Sequence, residues 1–326
     1  MSRVAILREA GGLGDVTQCL AVARAHKAAG DEVTFFCHRG YADYVHRSPD
    51  VDRVIPVPPA RRRPRDTAPD PDRWPYLACG GPYDEFVDLW CPAFRYERTC
   101  PGEVNRDRLA LFMHEASVPR AGLGRIRLSP GERAAVEGLL AGKLGWGWRP
   151  FILLVPWSRG AARNWLAPRW RKLANALGSR GHATLTLADR EGQRGRTGGA
   201  EFGDPGAPFW ALWGLVARAR LVVSVDTGPL HLAGALGVPC LGLFGCTAGR
   251  NVCRPYPTHR WIQARGCAPC YYVPGRGRRP ECRDGCAAMR TITVGDVLAG
   301  IDAMLGERTK GEVQTCAAES LSPVSR

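Results

Sequence analysis

Residues 225–239, VDTGPLHLAGALGVP, connect two apolar runs that are typical of buried parallel strands, residues 221–225 and 240–244. Between these runs a polar turn precedes a helix of small residues, which we expect to begin with Pro229 and to end at Gly237. The first amides of such a helix point beyond the carboxyl end of the sheet, where open α/β sheets bind anions. The stretch therefore predicts a phosphate site at this sheet edge.

Three residues of the turn and the first helical turn are suited to such a ligand. Thr227 and Gly228 offer a hydroxyl and a backbone amide to phosphate oxygens, and His231 is predicted to face the same space. The alternative is an ordinary strand–turn–helix unit, in which Asp226 and Thr227 only satisfy free amides. The short stretch by itself leaves both interpretations open.

Alternating strand and helix patterns extend this unit into an α/β protein. The predicted strands are residues 3–8, 32–37, 54–57, 85–90, 151–155, 183–187, 221–225 and 240–244. The predicted helices are residues 16–29, 103–116, 168–179, 208–219 and 229–236. A chain of 326 residues usually forms more than one core, and glycines with a proline at residues 141–150 mark a linker. We therefore predict domains at residues 1–145 and 146–306.

Two polar segments fall outside these elements. Residues 58–82 are rich in proline and arginine, too polar for a core element and too long for a simple turn, and the sequence leaves their order open. Residues 307–326 are polar and lack periodicity, which predicts a disordered tail.

Composition favours a globular cytoplasmic protein with anionic partners. Hydrophobic residues make up 45% of the chain and charged residues 23%, and no apolar run approaches the ~20 residues that cross a bilayer. The chain enters a strand at once, without a signal segment. A net charge of +14 attracts nucleic acid, an anionic membrane surface or a phosphorylated glycolipid. No nucleic-acid-binding motif is present in the sequence, so we expect no nucleic-acid partner.

Three motifs, in order along the chain, resemble those of glycosyltransferase family 9, the heptosyltransferases that build bacterial lipopolysaccharide core. They are the strand 4–8 with Gly-Gly-Leu-Gly-Asp at 11–15, the strand 151–155 followed by Arg-Asn-Trp at 163–165, and Asp-Thr-Gly-Pro-x-His at 226–231 with Gly-Val-Pro at 237–239. The resemblance covers about residues 3–305. It implies the glycosyltransferase B-type fold: two Rossmann-like, doubly wound α/β domains facing a cleft.

Asp15 ends the first glycine-rich loop and has two possible roles. As the N-cap of the first helix it would satisfy free amides, a role that aspartate fills well. At the carboxyl edge of the first sheet it could instead be a general base, presented by glycines that permit a sharp turn. The resemblance implies the second role, in which Asp15 takes the proton of the acceptor hydroxyl. Gly12 and Gly14 then belong to an acceptor-side loop.

The resemblance adds two residues to the predicted donor site. Arg163 stands where the family commonly has a lysine that contacts the donor diphosphate, and arginine can hold phosphate through two hydrogen bonds. Glu191 matches a glutamate that holds the donor ribose, whose vicinal hydroxyls suit a carboxylate. Together with Asp226, Thr227, Gly228 and His231 they make up the predicted donor-binding set.

The thirteen cysteines include one group with metal-ligand spacing. Cys267 and Cys270 form a CxxC pair, followed by Cys282 and Cys286 in a CxxxC pair. Four thiolates at these spacings could hold a structural zinc ion, and free thiols or a local disulfide are the alternatives. No Asp-x-Asp motif stands beside a strand end, so we expect neither a catalytic metal nor a cofactor.

These observations favour an inverting glycosyltransferase that uses a nucleotide-diphosphate sugar. The resemblance implies ADP-heptose as the donor and a lipopolysaccharide core or related anionic glycan as the acceptor, with peripheral contact at the inner membrane. Two alternatives stay open. One is a nucleotide-sugar epimerase, or a transferase with another donor, on the same fold. The other is a non-catalytic protein that binds nucleotide sugars.

Overall fold

A computed structural model describes most of the chain. The described residues are 1–9, 11–57, 81–90, 106–120, 122–144, 149–188, 200–202, 208–267, 269–271, 282 and 285–315, with backbone only at 143–144 and 307–315. The strands are β1 (Arg3–Arg8), β2 (Glu32–His38), β3 (Arg53–Val57), β4 (Glu85–Asp88), β5 (Phe151–Val155), β6 (Ala183–Leu187), β7 (Ala200–Phe202), β8 (Leu221–Val225), β9 (Cys240–Phe244) and β10 (His259–Gln263). The helices are α1 (Leu13–Ala28), α2 (Ala42–Val45), α3 (Arg108–Glu115), α4 (Pro130–Leu144), α5 (Ala167–Ser179), α6 (Phe209–Arg218), α7 (Gly228–Ala235), α8 (Gly249–Cys253) and α9 (Val294–Thr315).

The first sheet contains four described strands in the order β3-β2-β1-β4, all parallel. Helix α1 packs on it because Val16, Cys19 and Leu20 fall at helical spacing on one face, and all three are completely buried. Strands β1 and β4 are neighbours in the sheet but distant in the sequence. Their carboxyl ends therefore form the edge at which a ligand would be expected.

The second sheet has six described strands in the order β10-β9-β8-β5-β6-β7, also all parallel. The strand order reverses between β5 and β8, which are paired in the sheet. Open α/β sheets bind ligands outside the carboxyl ends of the strands at such a reversal. The predicted turn at residues 226–228 and the predicted Arg163 both follow strands of this pair.

The two sheets share one continuous hydrophobic core. The same cluster of buried residues includes Val4 and Val16 of the first sheet region and Val222 and Leu230 of the second. Helices α1 and α7 meet at this junction through glycines. A Cβ on Gly14 would overlap the His231 ring, and a Cβ on Gly228 would lie 2.9 Å from the Leu13 Cβ. The missing side chains thus let the two helix starts approach each other.

Most predicted strands are confirmed, whereas several helix boundaries were wrong. Helix α1 begins at Leu13, three residues earlier than predicted, and the Asp15 side chain accepts a hydrogen bond from the backbone amide of the N-cap Gly12. Helix α4 reaches residue 144, inside the predicted linker at 141–150. The predicted end of the seventh helix at Gly237 is confirmed, since this glycine has a φ of +70° directly after the helix.

The disordered tail was predicted to begin at residue 307, but residues 307–315 belong to the last helix. Helix α9 continues to Thr315, past residue 306. Glu, Arg, Lys and Gln in this stretch are good helix formers, so the helix extends beyond its packed part despite the lack of an apolar pattern. Residues 316–326 and most of the segment 58–82, namely 58–80, lie outside the described residues. Among the described residues, no helix is both long and apolar enough to cross a membrane.

Candidate functional site

Two helix starts face each other where the domains meet. The first helix start, residues 11–15, follows β1 and opens α1. The second helix start, residues 226–231, follows β8 and contains the first turns of α7. Gly14 of the first lies against the ring of His231 of the second. Residues from both sheets therefore contribute to one site.

Asp15 is held in place by the backbone and by a buried arginine. Its Oδ2 accepts a hydrogen bond from the Gly12 amide at 3.0 Å and lies 3.2 Å from Arg8 Nη2. Gly11 allows this approach, since its φ is +114° and a Cβ there would lie 2.7 Å from Asp15 Oδ2. The N-cap of α1 is Gly12, so the interpretation of Asp15 as the N-cap was wrong. Both contacts use Oδ2, and the side chain is 32% exposed, which leaves Oδ1 suited to take a proton.

The charge state of Asp15 follows from its neighbours. Desolvation raises the pKa of this carboxyl, but the positive charges of Arg8 and Arg108 and the hydrogen bond from the Gly12 amide hold the pKa below its usual value. Asp15 is therefore a carboxylate at neutral pH, the form that can accept a proton. A lowered pKa also makes it a weaker base, so its usefulness would rest on position more than on basicity.

The second helix start leaves polar groups unused. Thr227 is the N-cap of α7, yet its hydroxyl makes no capping hydrogen bond. The Leu230 amide turns back to the Thr227 carbonyl at 3.1 Å instead. The alternative in which Thr227 only satisfies free amides is thus not realised. Helix α7 begins at Gly228, one residue before the predicted Pro229, so the glycine amide stands at the positive end of the helix.

Asp226 lies beneath this turn as a buried carboxylate with unfilled hydrogen-bonding capacity. It is 2% exposed, with Oδ1 3.8 Å from His231 Nε2 and Oδ2 3.7 Å from Arg163 Nη1. Both distances are longer than a hydrogen bond. Burial raises the pKa of Asp226, but His231, Arg108 and Arg163 lower it further, so the group stays ionised. Its Oδ2 has no hydrogen-bond partner among the described residues.

Further unpaired polar atoms belong to residues that follow strands at the same edge of the second sheet as Asp226. In the described part of the chain, Arg163 Nε, Thr247 Oγ1 and Asn251 Nδ2 are also buried without a hydrogen-bond partner. Thr247 and Asn251 follow β9, the strand next to β8, at the same edge of the sheet. Buried polar atoms are rarely left unpaired in folded proteins. Several of them after three neighbouring strands at one sheet edge therefore indicate a site that a polar ligand completes.

A glutamine fixes the loop that carries Thr247. Gln263 Nε2 donates to the carbonyls of Gly245 at 3.0 Å and Thr247 at 3.2 Å, and its Oε1 accepts from the Gly249 amide at 2.9 Å. These bonds hold the loop after β9 in one conformation. The unpaired Thr247 hydroxyl is thus presented by a rigid backbone.

Arg163 lies in a short 3₁₀ turn after β5, within the predicted site. Its guanidinium stacks over the Tyr271 ring at 5.3 Å, and its side chain is 21% exposed. A Cβ on Gly160 would lie 2.9 Å from Arg163 Nε, so this glycine makes room for it. Trp165 packs against Trp170 and donates to the Ile292 carbonyl, which makes it a core residue.

Three predicted residues have positions that change their interpretation. Gly14 is buried inside α1 beneath His231 rather than in an acceptor-side loop, whereas a Cβ on Gly12 would meet no atom within 4 Å. Gly228 contacts Leu13 of the first domain, so enlarging it would disturb the domain junction as well as any ligand. Glu191 lies outside the described residues.

Arg108 and Tyr256 are among the residues that the structure brings to the site and that the sequence interpretation missed. Arg108 is 6% exposed at the start of α3, and its charge lowers the pKa of both Asp15 and Asp226. Tyr256 is 3% exposed and its hydroxyl lies 2.9 Å from His231 Nδ1. Neither stands near a recognised motif, so only folding reveals them.

None of the four spaced cysteines, all of which are described, forms a disulfide in this structure. Cys270 and Cys286 are buried, while Cys267 and Cys282 are half-buried. Desolvation, with the neighbouring thiols, raises the pKa of Cys270, and desolvation also raises that of Cys286. Among the described residues, which include all four cysteines, no group of three or more His, Cys, Asp or Glu is arranged to hold a metal ion.

The comparisons with known proteins agree with this architecture. The chain superposes on ADP-heptose lipopolysaccharide heptosyltransferase II of Escherichia coli with a TM-score of 0.67 at 15% identity, covering 95% of this chain and 100% of that one. It superposes on the E. coli heptosyltransferase WaaC with ADP with a TM-score of 0.60 at 16% identity, covering 93% and 99%. An iron-containing dodecameric glycosyltransferase, TibC, of enterotoxigenic E. coli gives 0.64 at 15% identity, covering 95% and 80%. The fold is the two-domain glycosyltransferase B-type fold.

The sequence comparisons narrow this class. Residues 207–271 match the model of glycosyltransferase family 9 (heptosyltransferase). Lipopolysaccharide heptosyltransferase 1 of Pseudomonas aeruginosa is 35% identical over 104 residues, which are 30% of this chain. The match spans 29% of the length of that relative. The resemblance to glycosyltransferase family 9 is therefore confirmed, and it is most direct in residues 207–271.

Proposed function

We propose that this protein is an inverting glycosyltransferase that binds a nucleotide-diphosphate sugar at the second helix start. The proposal rests chiefly on the convergence of an ionised Asp15 with an incompletely bonded Asp226–Arg163 pair across the domain junction. One side of the site supplies a candidate base, and the other supplies a candidate anion and sugar site. This division fits a reaction with two substrates. The domain division at residues 145 and 146 is part of the same proposal.

The diphosphate would lie over the amide of Gly228 and the hydroxyl of Thr227. Both groups are donors at the positive end of α7, and the Thr227 hydroxyl does not cap its own helix. Arg163 would place its positive charge beside the diphosphate, with Tyr271 supporting the guanidinium. As the leaving group departs, these donors would stabilise its growing charge.

The transferred sugar would engage the unpaired groups near Asp226. A sugar hydroxyl can donate to a carboxylate and accept from a hydroxyl or amide, which suits the combination of Asp226 Oδ2, Thr247 Oγ1 and Asn251 Nδ2. A phosphate alone would satisfy the donors but not the carboxylate. We therefore assign the sugar, not the diphosphate, to this set. Glu191 remains the predicted ribose contact.

Asp15 would act as the general base. The acceptor hydroxyl oxygen would attack the anomeric carbon on the face opposite the diphosphate, the bond from carbon to phosphate oxygen would break, and the hydroxyl proton would pass to Asp15 Oδ1. One displacement inverts the anomeric centre and releases the nucleoside diphosphate. The position of the carboxylate, fixed by Gly12 and Arg8, supports this role.

ADP-heptose is the proposed donor because the similar E. coli heptosyltransferase was solved with ADP and the matched relatives carry heptosyltransferase names. An anionic lipopolysaccharide core or related glycan is the proposed acceptor, which the net charge of +14 would attract. The same charge supports a proposed peripheral contact with an anionic membrane surface.

The purified protein would be tested with ADP-heptose, UDP-sugars and GDP-sugars, with and without a phosphorylated core acceptor, and the products read by mass spectrometry. Transfer that requires both ADP-heptose and the acceptor would support the proposal. A changed sugar without an acceptor would indicate an epimerase. Donor binding without any product would indicate a binding protein.

Metal independence is tested in the same assay. We expect chelator-treated protein to keep its transfer rate, because the proposed reaction uses only protein donors and Asp15. Metal analysis of untreated protein should give less than one zinc or iron per chain. A tightly held metal whose removal abolishes transfer would overturn this part of the proposal.

A further inference from the structure

A hydrogen-bonded chain of buried side chains ends on His231 from the side opposite Asp226. Gln18 on α1 lies with Nε2 3.4 Å from the Tyr256 hydroxyl, and this hydroxyl lies 2.9 Å from His231 Nδ1. Gln18 Nε2 is also 3.5 Å from His231 Nδ1. Tyr256 and His231 are 3% and 4% exposed, so water does not replace these contacts. The chain starts in the first domain and ends in the second.

The direction of these hydrogen bonds follows from which groups can only donate or only accept. The Gln18 amide nitrogen can only donate, and it faces both the Tyr256 oxygen and His231 Nδ1, so Nδ1 is the acceptor there and the Tyr256 hydroxyl donates to it. On the other side of the ring, Nε2 faces the carboxylate of Asp226 at 3.8 Å, and a carboxylate only accepts. Donors therefore face Nδ1 and an acceptor faces Nε2, a pattern that places the proton on Nε2.

We propose that Tyr256 is a positioning residue that holds His231 in the Nε2–H tautomer. Packing also fixes the ring. It lies against Gly14, where a Cβ would overlap it, and the Tyr256 ring contacts it edge-on with the ring centroids 5.8 Å apart. The charged side chains that interact with His231 are Asp15 of α1 and Asp226, which follows β8, and Arg108 of α3 lowers the pKa of both carboxyl groups. Tyr256 thus selects the ring atom that carries the proton.

This tautomer gives the proposed site a directed donor. With its proton on Nε2, His231 turns an N–H toward Asp226 and the space beside the second helix start, where the diphosphate leaves. With the proton on Nδ1, the same ring would present a lone pair to a carboxylate and to a diphosphate. The consequence for catalysis rests on the proposed function, whereas the tautomer itself does not.

The tautomer can be measured directly in the full-length protein. Nitrogen NMR of ¹⁵N-histidine-labelled protein separates a protonated from an unprotonated ring nitrogen, and the spectrum of His231→Gln assigns the signals. We expect wild-type His231 to show a protonated Nε2 and an unprotonated Nδ1. A protonated Nδ1 in the wild type, as the other tautomer or as imidazolium, would overturn the proposal without any activity assay.

Tyr256→Phe tests the role of the hydroxyl. We expect loss of the single-tautomer signal and, in an active enzyme, a decrease of kcat by roughly three- to tenfold with the donor KM changed less than about twofold. Tyr44→Phe is the matched control, since the Tyr44 hydroxyl is also buried and bonded to α1, through Thr17 at 2.6 Å, without contacting His231. It should lose similar stability but keep both the tautomer and kcat.

The outcomes separate this inference from the proposed function. If Tyr256→Phe keeps the wild-type tautomer, or loses only stability as Tyr44→Phe does, Tyr256 is a structural residue and the inference is wrong. If the wild type transfers no sugar while the tautomer depends on Tyr256, the proposed function fails and the positioning role stands. Should Tyr256→Phe not fold, the wild-type spectrum alone decides.

Discussion

The two helix starts have similar architectures but differ in how completely their carboxylates are hydrogen-bonded. Each follows the carboxyl end of a central parallel strand and places a carboxylate near a buried or half-buried arginine. In the first, Asp15 Oδ2 receives an amide at 3.0 Å and an arginine at 3.2 Å. In the second, Asp226 is more deeply buried, and its Oδ2 has no hydrogen-bond partner among the described residues.

This difference indicates that the Asp15 carboxylate is held in one orientation, whereas the Asp226 carboxylate can still accept a hydrogen bond from a ligand. A carboxylate that already accepts two donors on one oxygen has a fixed direction, which suits a base that must meet a substrate proton. A buried carboxylate with an unfilled oxygen is costly unless a ligand completes it. We therefore assign the proposed catalytic base to the first helix start and the proposed binding site to the second. The predictions below test this contrast.

The largest expected effect is on turnover at the first helix start. Asp15→Asn keeps the size of the side chain but removes the base, and loss of a general base typically lowers a rate by ~10²–10⁴-fold. Affinity for ADP, measured by calorimetry, should stay within a few-fold of wild type because the donor binds the other domain. Near-wild-type turnover by a folded Asp15→Asn protein would show that this carboxylate only organises the helix.

Asp52→Asn is a matched control for that experiment. Asp52 also pairs with a cation, Lys27, and accepts from a backbone amide, that of Val33, at 2.8 Å. It lies away from both helix starts, on the far side of β2. Its loss should reduce stability slightly and leave turnover intact, which separates chemistry from folding.

The next effect concerns binding at the second helix start. Arg163→Ala removes a charge-assisted donor worth about 1.5–3 kcal/mol, so the Kd for ADP should rise roughly tenfold to a hundredfold. Adenosine, which lacks the diphosphate, should lose much less affinity. Arg180→Ala serves as the control because Arg180 pairs with Asp302 on the surface. If ADP binding is unchanged by Arg163→Ala, the diphosphate lies elsewhere.

Two glycines on either side of Leu13 test how closely the helix starts must meet. A Cβ on Gly14 would overlap the His231 ring, so Gly14→Ala should destabilise the protein by ~1–3 kcal/mol and weaken donor binding through the displaced ring. Gly12→Ala adds the same methyl group where nothing lies within 4 Å, and little change is expected. Urea unfolding and calorimetry measure both. Equal stability of the two variants would mean that the domains do not pack as described.

The sequence was sufficient to predict the strands and the motif residues, but not the residues that pack between the two domains. Buried parallel strands are continuous apolar runs, so β1, β5, β6, β8 and β9 are all found where their patterns predict them. The exposed β10 and the three-residue β7 carry weaker patterns and were missed. Motif residues such as Asp15 and Asp226 were found because they adjoin strand ends.

The residues that join the two domains are not marked by any local pattern. Arg108, Tyr256 and Gln18 come from three separate helices or turns and meet His231 or the two carboxylates only through tertiary packing. The packing role of Gly228 was missed for the same reason. A glycine required by a neighbouring domain looks the same in the sequence as one required by a ligand.

The smallest expected effect concerns His259, whose side chain is hydrogen-bonded to the second helix start. His259 Nε2 lies 2.9 Å from the Leu230 carbonyl of α7, and burial lowers the pKa of His259 from 6.5 to about 4. The folded protein thus binds this proton less readily than the unfolded chain. Stability from this group is complete above pH 6.5 and falls as the pH decreases toward 4.

With these pKa values, the contribution of His259 should decrease by less than ~1 kcal/mol between pH 7 and pH 6, and by roughly 2 kcal/mol by pH 5. His259→Gln keeps an amide donor for the Leu230 carbonyl and cannot titrate, so its urea unfolding free energy should change less over this range. Asp15 and Asp226, whose pKa values are lowered, should stay ionised throughout. A wild type and a His259→Gln variant with the same pH slope would show that the ring is protonated, or reaches water, in the folded state. In that case the hydrogen bond between His259 and the Leu230 carbonyl of α7 would not depend on a neutral imidazole ring.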